Sequence, residues 1–254
     1  MPLAVRWPAR MQGGQTLDGF VSLSDLAPTF LEAAGLKPLP EMTGQSLLGL
    51  LTGREAQRRD AAFTERERHA NVRKGDLSYP ARAIRTADFL YIRNLAPDRW
   101  PAGDPETWKA VGPFGDIDGG PSKDVVIEGR DDPAIAPFFE RAMGKRPAEE
   151  LYDLKREPRQ IHNVADDPQY ADAKRDLRAS LDRWMEETND PRAKAGGEYD
   201  AFDRYPYFGG GPDSERMNQP NTRPANRRRN VDGGRRAGSR GGAARQSEGP
   251  ASRE

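Results

Sequence analysis

The sequence predicts a mixed α/β chain: short helices with leucine faces, then a small unit of antiparallel strands around one long helix, then an unfolded tail. Three observations carry this. Two six-residue runs rich in branched and aromatic residues, Ala81–Thr86 and Phe89–Asn94, are separated by two residues only, the spacing of a tight β-hairpin. Asp167-Pro168, a capping residue followed by proline at the first helical position, opens a stretch in which Tyr170, Leu177, Leu181, Trp184 and Met185 form an apolar stripe. After Phe208 no Leu, Ile, Phe, Tyr or Trp remains. A segment that cannot bury apolar surface cannot offset its chain entropy, so 209–254 is expected to be disordered.

The elements follow in order. Residues 2–8 read as a short strand closed by Pro8. A strand with no lead-in reads as a cut domain, which would make Met1 an internal position; the alternative is a natural short protein with an N-terminal edge strand. Ser24 and Asp25 are N-cap candidates for a helix in which Leu26, Phe30, Ala33 and Ala34 share a face and which Gly35 stops; Pro28 is tolerable because it falls in the first turn. Thr43-Gly44-Gln45-Ser46 leads into a second short helix with Leu47, Leu48, Leu50 and Leu51, ended by Gly53. Both helices are expected to bury their leucines against a sheet. Residues 61–64 read as a strand, followed by a charged loop from Glu65 to Asp76. Residues 96–147 are rich in Pro, Gly and Asp and read as an irregular excursion with one helix near 134–143. Glu150-Leu151-Tyr152-Asp153-Leu154 is a strand, and the long helix ends near Asn189, before Pro191.

Composition limits the possibilities. The chain has 254 residues, 35% hydrophobic and 31% charged, a balance suited to a modest folded unit plus an unfolded part. Formal net charge is zero, yet the tail from Gly209 onward holds ten Arg against five acids, about +5 by simple charge counting. The absence of cysteine removes disulfides and thiolate metal sites. No apolar run is long enough for a membrane helix, and no basic-then-apolar block marks a signal peptide.

Several segments stand in the order of a known family. Val21-Ser22-Leu23-Ser24-Asp25-Leu26-Ala27-Pro28-Thr29-Phe30-Leu31 is similar to the S-x-x-D-L-x-P-T-x-L helix of sulfatases, and Gly35-Leu36 with Thr43-Gly44-Gln45-Ser46-Leu47-Leu48 resembles its continuation. Glu150-Leu151-Tyr152-Asp153-Leu154, Glu157-Pro158 and Asn163-Val164-Ala165 resemble the closing signature, with Glu157 where Asp is usual. Ser78-Tyr79-Pro80-Ala81-Arg82-Ala83-Ile84-Arg85 and Trp184-Met185-Glu186-Glu187-Thr188-Asn189-Asp190-Pro191 point to the heparan N-sulfatase (sulfamidase) branch. The resemblance covers residues 2–208. It implies the end of an alkaline-phosphatase-like α/β sulfatase domain in 1–60, a C-terminal subdomain with an antiparallel sheet and one long helix in 61–208, and a tail in 209–254 with no counterpart.

The resemblance also implies chemistry. Sulfatases attack sulfur with a formylglycine made from Cys or Ser in a C/S-x-P-S/A-R motif, beside a calcium ion held by Asp and Asn. Ser78-Tyr79-Pro80-Ala81-Arg82 fits the first pattern by its letters, but it stands inside the later segment quoted above for the sulfamidase branch and is not read as the nucleophile. No calcium-binding Asp/Asn motif is read here either, so no catalytic or metal residue is assigned, and the chain is expected to be the C-terminal fragment of a hydrolase, inactive by itself. Calcium and formylglycine are expected in the full-length enzyme, on a missing N-terminal catalytic region. The fragment can supply recognition of a sulfated, glycosaminoglycan-like saccharide, since arginine pairs with sulfate through two parallel hydrogen bonds. Glu67, Arg68 and His69 are expected to reach toward the sugar, with Arg82 in support; the plainer reading is a solvated charged loop. Relatives of this kind are exported, which implies a periplasmic or secreted protein. A non-catalytic carbohydrate- or partner-binding module and a phosphodiesterase or phosphonate hydrolase of the same superfamily remain open alternatives. His162 reads as a surface or packing histidine. Glu149 and Glu150 are adjacent on a strand and face apart, so they cannot act together. Nucleic-acid binding by the Arg227-Arg228-Arg229 and Arg235-Arg236 tail is not expected, because the tail has no aromatic residue to stack on bases. If strands are missing, apolar surface should lie exposed in the first 60 residues.

Overall fold

Alternation of apolar and polar residues builds a four-stranded antiparallel sheet, β1 (Ala61–Arg66), β2 (Ala81–Thr86), β3 (Phe89–Asn94) and β4 (Glu149–Asp153), in the order β1-β2-β3-β4. The structure is a computed structural model that describes residues 3–54, 59–108, 112–193 and 202–203. The β2–β3 register pairs Ala81 with Asn94 and Arg85 with Leu90, so the turn falls on Ala87-Asp88 as the spacing requires. Asp167 caps the long helix by accepting from the Gln169 amide at 2.9 Å, Pro168 opens a single 3-10 turn, and α5 (Ala171–Glu187) follows. Its stripe lies on the sheet: Tyr170, Leu177, Leu181 and Met185 form one core with Ile84, Tyr91 and Leu151. Trp184 stacks on Phe63 at 5.0 Å and Tyr170 meets Phe89 edge-on at 6.2 Å, which makes both rings core. Asn189 takes a left-handed backbone (φ 55) and stops the helix.

The excursion between β3 and β4 holds two helices where the sequence reading gave one. Besides α4 (Ala136–Met143), residues Pro121–Glu128 form α3. Helix α3 was hidden because none of its residues is fully buried and it carries no clear apolar stripe; Gly120 followed by Pro121 at its first turn is its only sequence mark. Together the two helices cover a second core of Ala102, Phe114, Phe139 and Met143, with Trp100, Ile117, Val126 and Ile127 packed on it.

The first 54 residues depart from expectation in three ways. Residues 3–8 form no strand: among the described residues, all strands of the sheet come from 61–153, so this segment has no ladder to join. Asp25 holds the N-cap position of α1 (Leu26–Ala33), one of the two expected, but its side chain makes no capping bond to that helix; the Ser22 hydroxyl and the Asp25 carboxylate instead form a reciprocal capping box around the 3-10 turn Leu23–Asp25 ahead of it. The predicted apolar face of α1 is not buried. Phe30 is 66% exposed, and the inward residues are Asp25, Pro28 and Thr29. Helix α2 (Leu48–Leu51) is held to α1 by polar bonds: Thr29 accepts from the Leu47 amide at 2.8 Å, and Asp25 accepts from the Gln45 amide at 2.8 Å and from Arg59 at 2.7 and 2.8 Å. Leu47 is buried while Leu48, Leu50 and Leu51 are half-buried, so these leucines do not lie under a sheet. Gly44 is needed at this junction, because a Cβ there would stand 2.0 Å from the Ser24 carbonyl oxygen. Exposed large apolar side chains do concentrate in this part: Leu3, Val5, Leu17, Leu23, Phe30, Leu36 and Leu39. The 209–254 tail lies outside the described residues.

Candidate substrate-binding site

Strands β1 and β2 pair up to Arg66↔Ala81, so the charged loop between them closes on itself, and the Tyr79 amide donates to the Glu67 carbonyl at 2.6 Å. The loop feeds two ionic clusters.

The first centres on Arg82. Its side chain is 1% exposed and forks onto Asp190, which follows α5, at 2.5 and 3.0 Å. The Nη2 that reaches Asp190 also donates to Glu67 at 2.8 Å, Nη1 donates to the Ala81 carbonyl at 2.9 Å, and Arg192 donates to the second oxygen of Glu67 at 2.8 Å. Burial alone would push the Arg82 pKa down; hydrogen bonds to Asp190 and Glu67 outweigh it and hold it above the ordinary value. Burial likewise opposes ionisation of Asp190, but Arg82 and the Arg192 amide keep its carboxyl below the usual range. Next to it, Asp203 accepts from the Ser78 amide and hydroxyl, both at 2.7 Å, and from Arg99 at 3.0 Å.

The second cluster centres on Asp116. One of its oxygens accepts from Arg66 at 2.7 Å and from Arg73 at 3.2 Å. Arg73 is 1% exposed; it also donates to the Trp100 and Pro101 carbonyls at 2.7 and 2.8 Å and lies over the Tyr79 ring. Burial dominates its ionisation and leaves its pKa lowered in spite of Asp116. The His69 ring is 72% exposed, and its Nδ1 stands 3.6 Å from the other oxygen of Asp116. Among the described residues, five buried side-chain polar atoms have no hydrogen-bond partner, Arg68 Nη2, Asn71 Nδ2, Arg73 Nη1, Tyr79 OH and Asp116 Oδ1, and all five residues belong to this loop or its Asp116 partner. Native interiors leave few such atoms, and here they gather on one loop and its Asp116 partner.

Sequence reasoning placed Glu67, Arg68, His69 and Arg82 at one site. The structure joins Glu67 to Arg82 directly and sets Arg68 and His69 on the same loop, while His69 turns to the second cluster. Asp116, Arg73 and Arg192 were not singled out. Asp190 stood in a quoted motif, but nothing local marked it as the partner of Arg82. His162 is exposed, and Glu149 and Glu150 hold different partners: Tyr91 donates to Glu149, and Asn94 and Tyr152 donate to Glu150. Among the described residues no three His, Cys, Asp or Glu gather to hold a metal ion. No described helix is long and apolar enough to cross a membrane.

Comparison with known proteins accords with this architecture. Residues 1–104 match the family described as N-sulphoglucosamine sulphohydrolase, C-terminal. An ulvan-active sulfatase of Formosa agariphila is 30% identical over 196 residues, covering 75% of this chain and 34% of that protein. Human N-sulphoglucosamine sulphohydrolase is 29% identical over 201 residues, covering 75% of this chain and 37% of that protein. The chain thus spans about a third of the length of these relatives. Among solved structures, a 2-O GAG sulfatase is 20% identical with a TM-score of 0.41 over 72% of this chain and 28% of that one. The phosphonate monoester hydrolase of Agrobacterium radiobacter is 20% identical with a TM-score of 0.41 over 68% and 26%. Likeness at that level does not choose between sulfate and phosphonate chemistry. The sequence matches support a C-terminal sulfatase region, with residues 1–104 similar to the C-terminal part of the N-sulphoglucosamine sulphohydrolase family.

Proposed function

We propose that this chain is the substrate-cleft wall of a sulfatase that removes sulfate from a sulfated saccharide, N-linked sulfate on glucosamine being the favoured substrate. The observation that carries this reading is the second cluster. Arg66 and Arg73 share a single carboxylate, Asp116, and Arg68 adds a third guanidinium on the same loop, with buried donors on Arg68, Asn71 and Arg73 left over. Excess positive charge with unused donors suits a polyanion bearing sulfate or carboxylate groups. In this reading Arg68 and His69 contact the sugar. Glu67 is fixed between Arg82 and Arg192, which sets the end of β1 and the start of the loop. Arg82 acts in support and makes no contact with substrate.

The formylglycine and calcium of such enzymes would supply the nucleophile and neutralise the sulfate oxygens; both are assigned to a catalytic region outside this chain, and the protein is read as exported. Two measurements test the proposal. The purified 254-residue chain should release no sulfate from N-sulfoglucosamine; release would overturn the division of labour. In the longest polypeptide the locus encodes, Arg68→Ala and His69→Ala should each raise KM for a sulfated saccharide about 10- to 100-fold, the effect of losing a charge-assisted hydrogen bond of roughly 1.5–3 kcal/mol. Unchanged kcat and KM in both variants would remove these residues from the cleft.

A further inference from the structure

We propose that Asp116 is a positioning residue for His69, holding the neutral imidazole as its Nδ1–H tautomer so that Nε2 faces outward as a free acceptor. Three observations converge on it. First, the Asp116 carboxylate is 4% exposed, and Arg66 and Arg73 both occupy its Oδ2, which fixes its rotation. Second, its Oδ1 is buried and has no hydrogen-bond partner. A buried carboxylate oxygen left unpaired is costly, and a donor should be supplied to it. Third, the nearest imidazole nitrogen, His69 Nδ1, is 3.6 Å from that oxygen, about half an ångström beyond an ordinary hydrogen bond, a gap of the kind that closes on ligand binding. The ring is 72% exposed on its other side, so only one nitrogen can be directed from within the protein.

The platform beneath is built for fixed geometry. The Asp116 amide donates to the Ala102 carbonyl at 3.0 Å, and the Phe114 amide donates to the Asp104 carbonyl at 2.7 Å. Gly103 has φ +97, and a Cβ on it would lie 2.9 Å from both the Gly115 nitrogen and a Val72 methyl, so the two chains meet where only glycine fits. A carboxylate that accepts from one imidazole nitrogen selects the tautomer and aims the other nitrogen. The consequence for sugar binding rests on the reading of His69 given above: Nε2 would accept from a sugar hydroxyl or, once protonated, donate to a sulfate or carboxylate oxygen.

The test separates the two claims. The chain has only two histidines, so long-range 1H–15N spectra of histidine-labelled protein show two imidazoles, with exposed His162 as internal control. The spectra are recorded at about pH 9, well above the ordinary imidazole pKa near 6.5. The expected result is Nδ1–H for His69 and Nε2–H, the form that predominates in free histidine, for His162. In Asp116→Asn the two arginines demand the amide oxygen, which leaves the NH2 group facing His69 and reverses its tautomer to Nε2–H without moving His162. Finding Nε2–H at His69 in the wild-type protein, or no reversal in Asp116→Asn with His162 unchanged, would overturn the proposal. Should Asp116→Asn fail to fold, the wild-type tautomer alone decides. Titration with N-sulfoglucosamine then reads the other claim: a shift at His69 Nε2 and none at His162 supports sugar contact, and silence at His69 with the Nδ1–H tautomer intact sinks that contact only.

Discussion

Arg82 is buried to 1% exposure, and its two carboxylate partners compensate its desolvation. Breaking such a pair leaves the partner's charge stranded, so Arg82→Ala should lower unfolding free energy by about 3–5 kcal/mol in urea titrations, whereas the double change Arg82→Met with Asp190→Leu should recover most of that loss. The same pair sets acid sensitivity. Asp190 and Asp203 have folded pKa values below their ordinary ones, with burial opposing and Arg82 or Arg99 prevailing. A depressed carboxyl contributes stability that is fully present above its unfolded pKa, near 4, and is lost as pH falls through the folded value. Acid unfolding should therefore set in below about pH 4, and Asp190→Asn should flatten that part of the stability curve. Tyr79 behaves oppositely. Burial, then the charge of Glu150, push its pKa up to about 12. Its contribution is present below the unfolded value near 10 and declines as pH rises from there to about 12. Because its buried hydroxyl has no partner, Tyr79→Phe should be neutral or stabilising by about 1 kcal/mol and should remove this alkaline loss.

Between elements, stability is concentrated where α5 crosses the sheet. Leu181 is fully buried in that core, so Leu181→Ala should cost about 2–5 kcal/mol by thermal or chemical denaturation, with the second core at Phe114 and Met143 contributing separately. The elements legible in the sequence are those whose period is set locally. The β2–β3 hairpin followed from a two-residue gap, and α5 from a capped start and a stripe on one face. What escaped depended on distant partners. A strand at residues 3–8 needs a neighbour, and the leucines of α1 and α2 need a surface; neither requirement can be read from the segment itself. Helix α3 lacks the buried stripe that periodicity detects. The site divides in the same way. Glu67, Arg68, His69 and Arg82 were singled out by the density of charged groups in their loop and by the family resemblance, whereas Asp116 lies 43 residues from Arg73 and 50 from Arg66, in a stretch of Gly and Asp with no chemical pattern of its own. Only folding brings it to the loop.

At the scale of the molecule, apolar side chains are unevenly placed. Ala27, Phe30, Leu31, Leu36, Leu39 and Met42 line one shallow groove on α1 and the segment after it, and Phe30, Leu36 and Leu39 are 66, 58 and 59% exposed. Soluble monomers rarely present contiguous apolar surface of this kind without a partner for it. The chain should therefore bind a hydrophobic dye such as ANS in its folded state and associate with itself as concentration rises. Phe30→Ser with Leu39→Ser should weaken both effects and leave Tm nearly unchanged, because side chains already more than half exposed add little to folding. The unaltered Tm matters, since loss of dye binding by unfolding would look different: dye binding would rise and the cooperative transition would broaden. If the double variant binds dye as the parent does, the groove is covered in solution and the exposed apolar surface lies elsewhere.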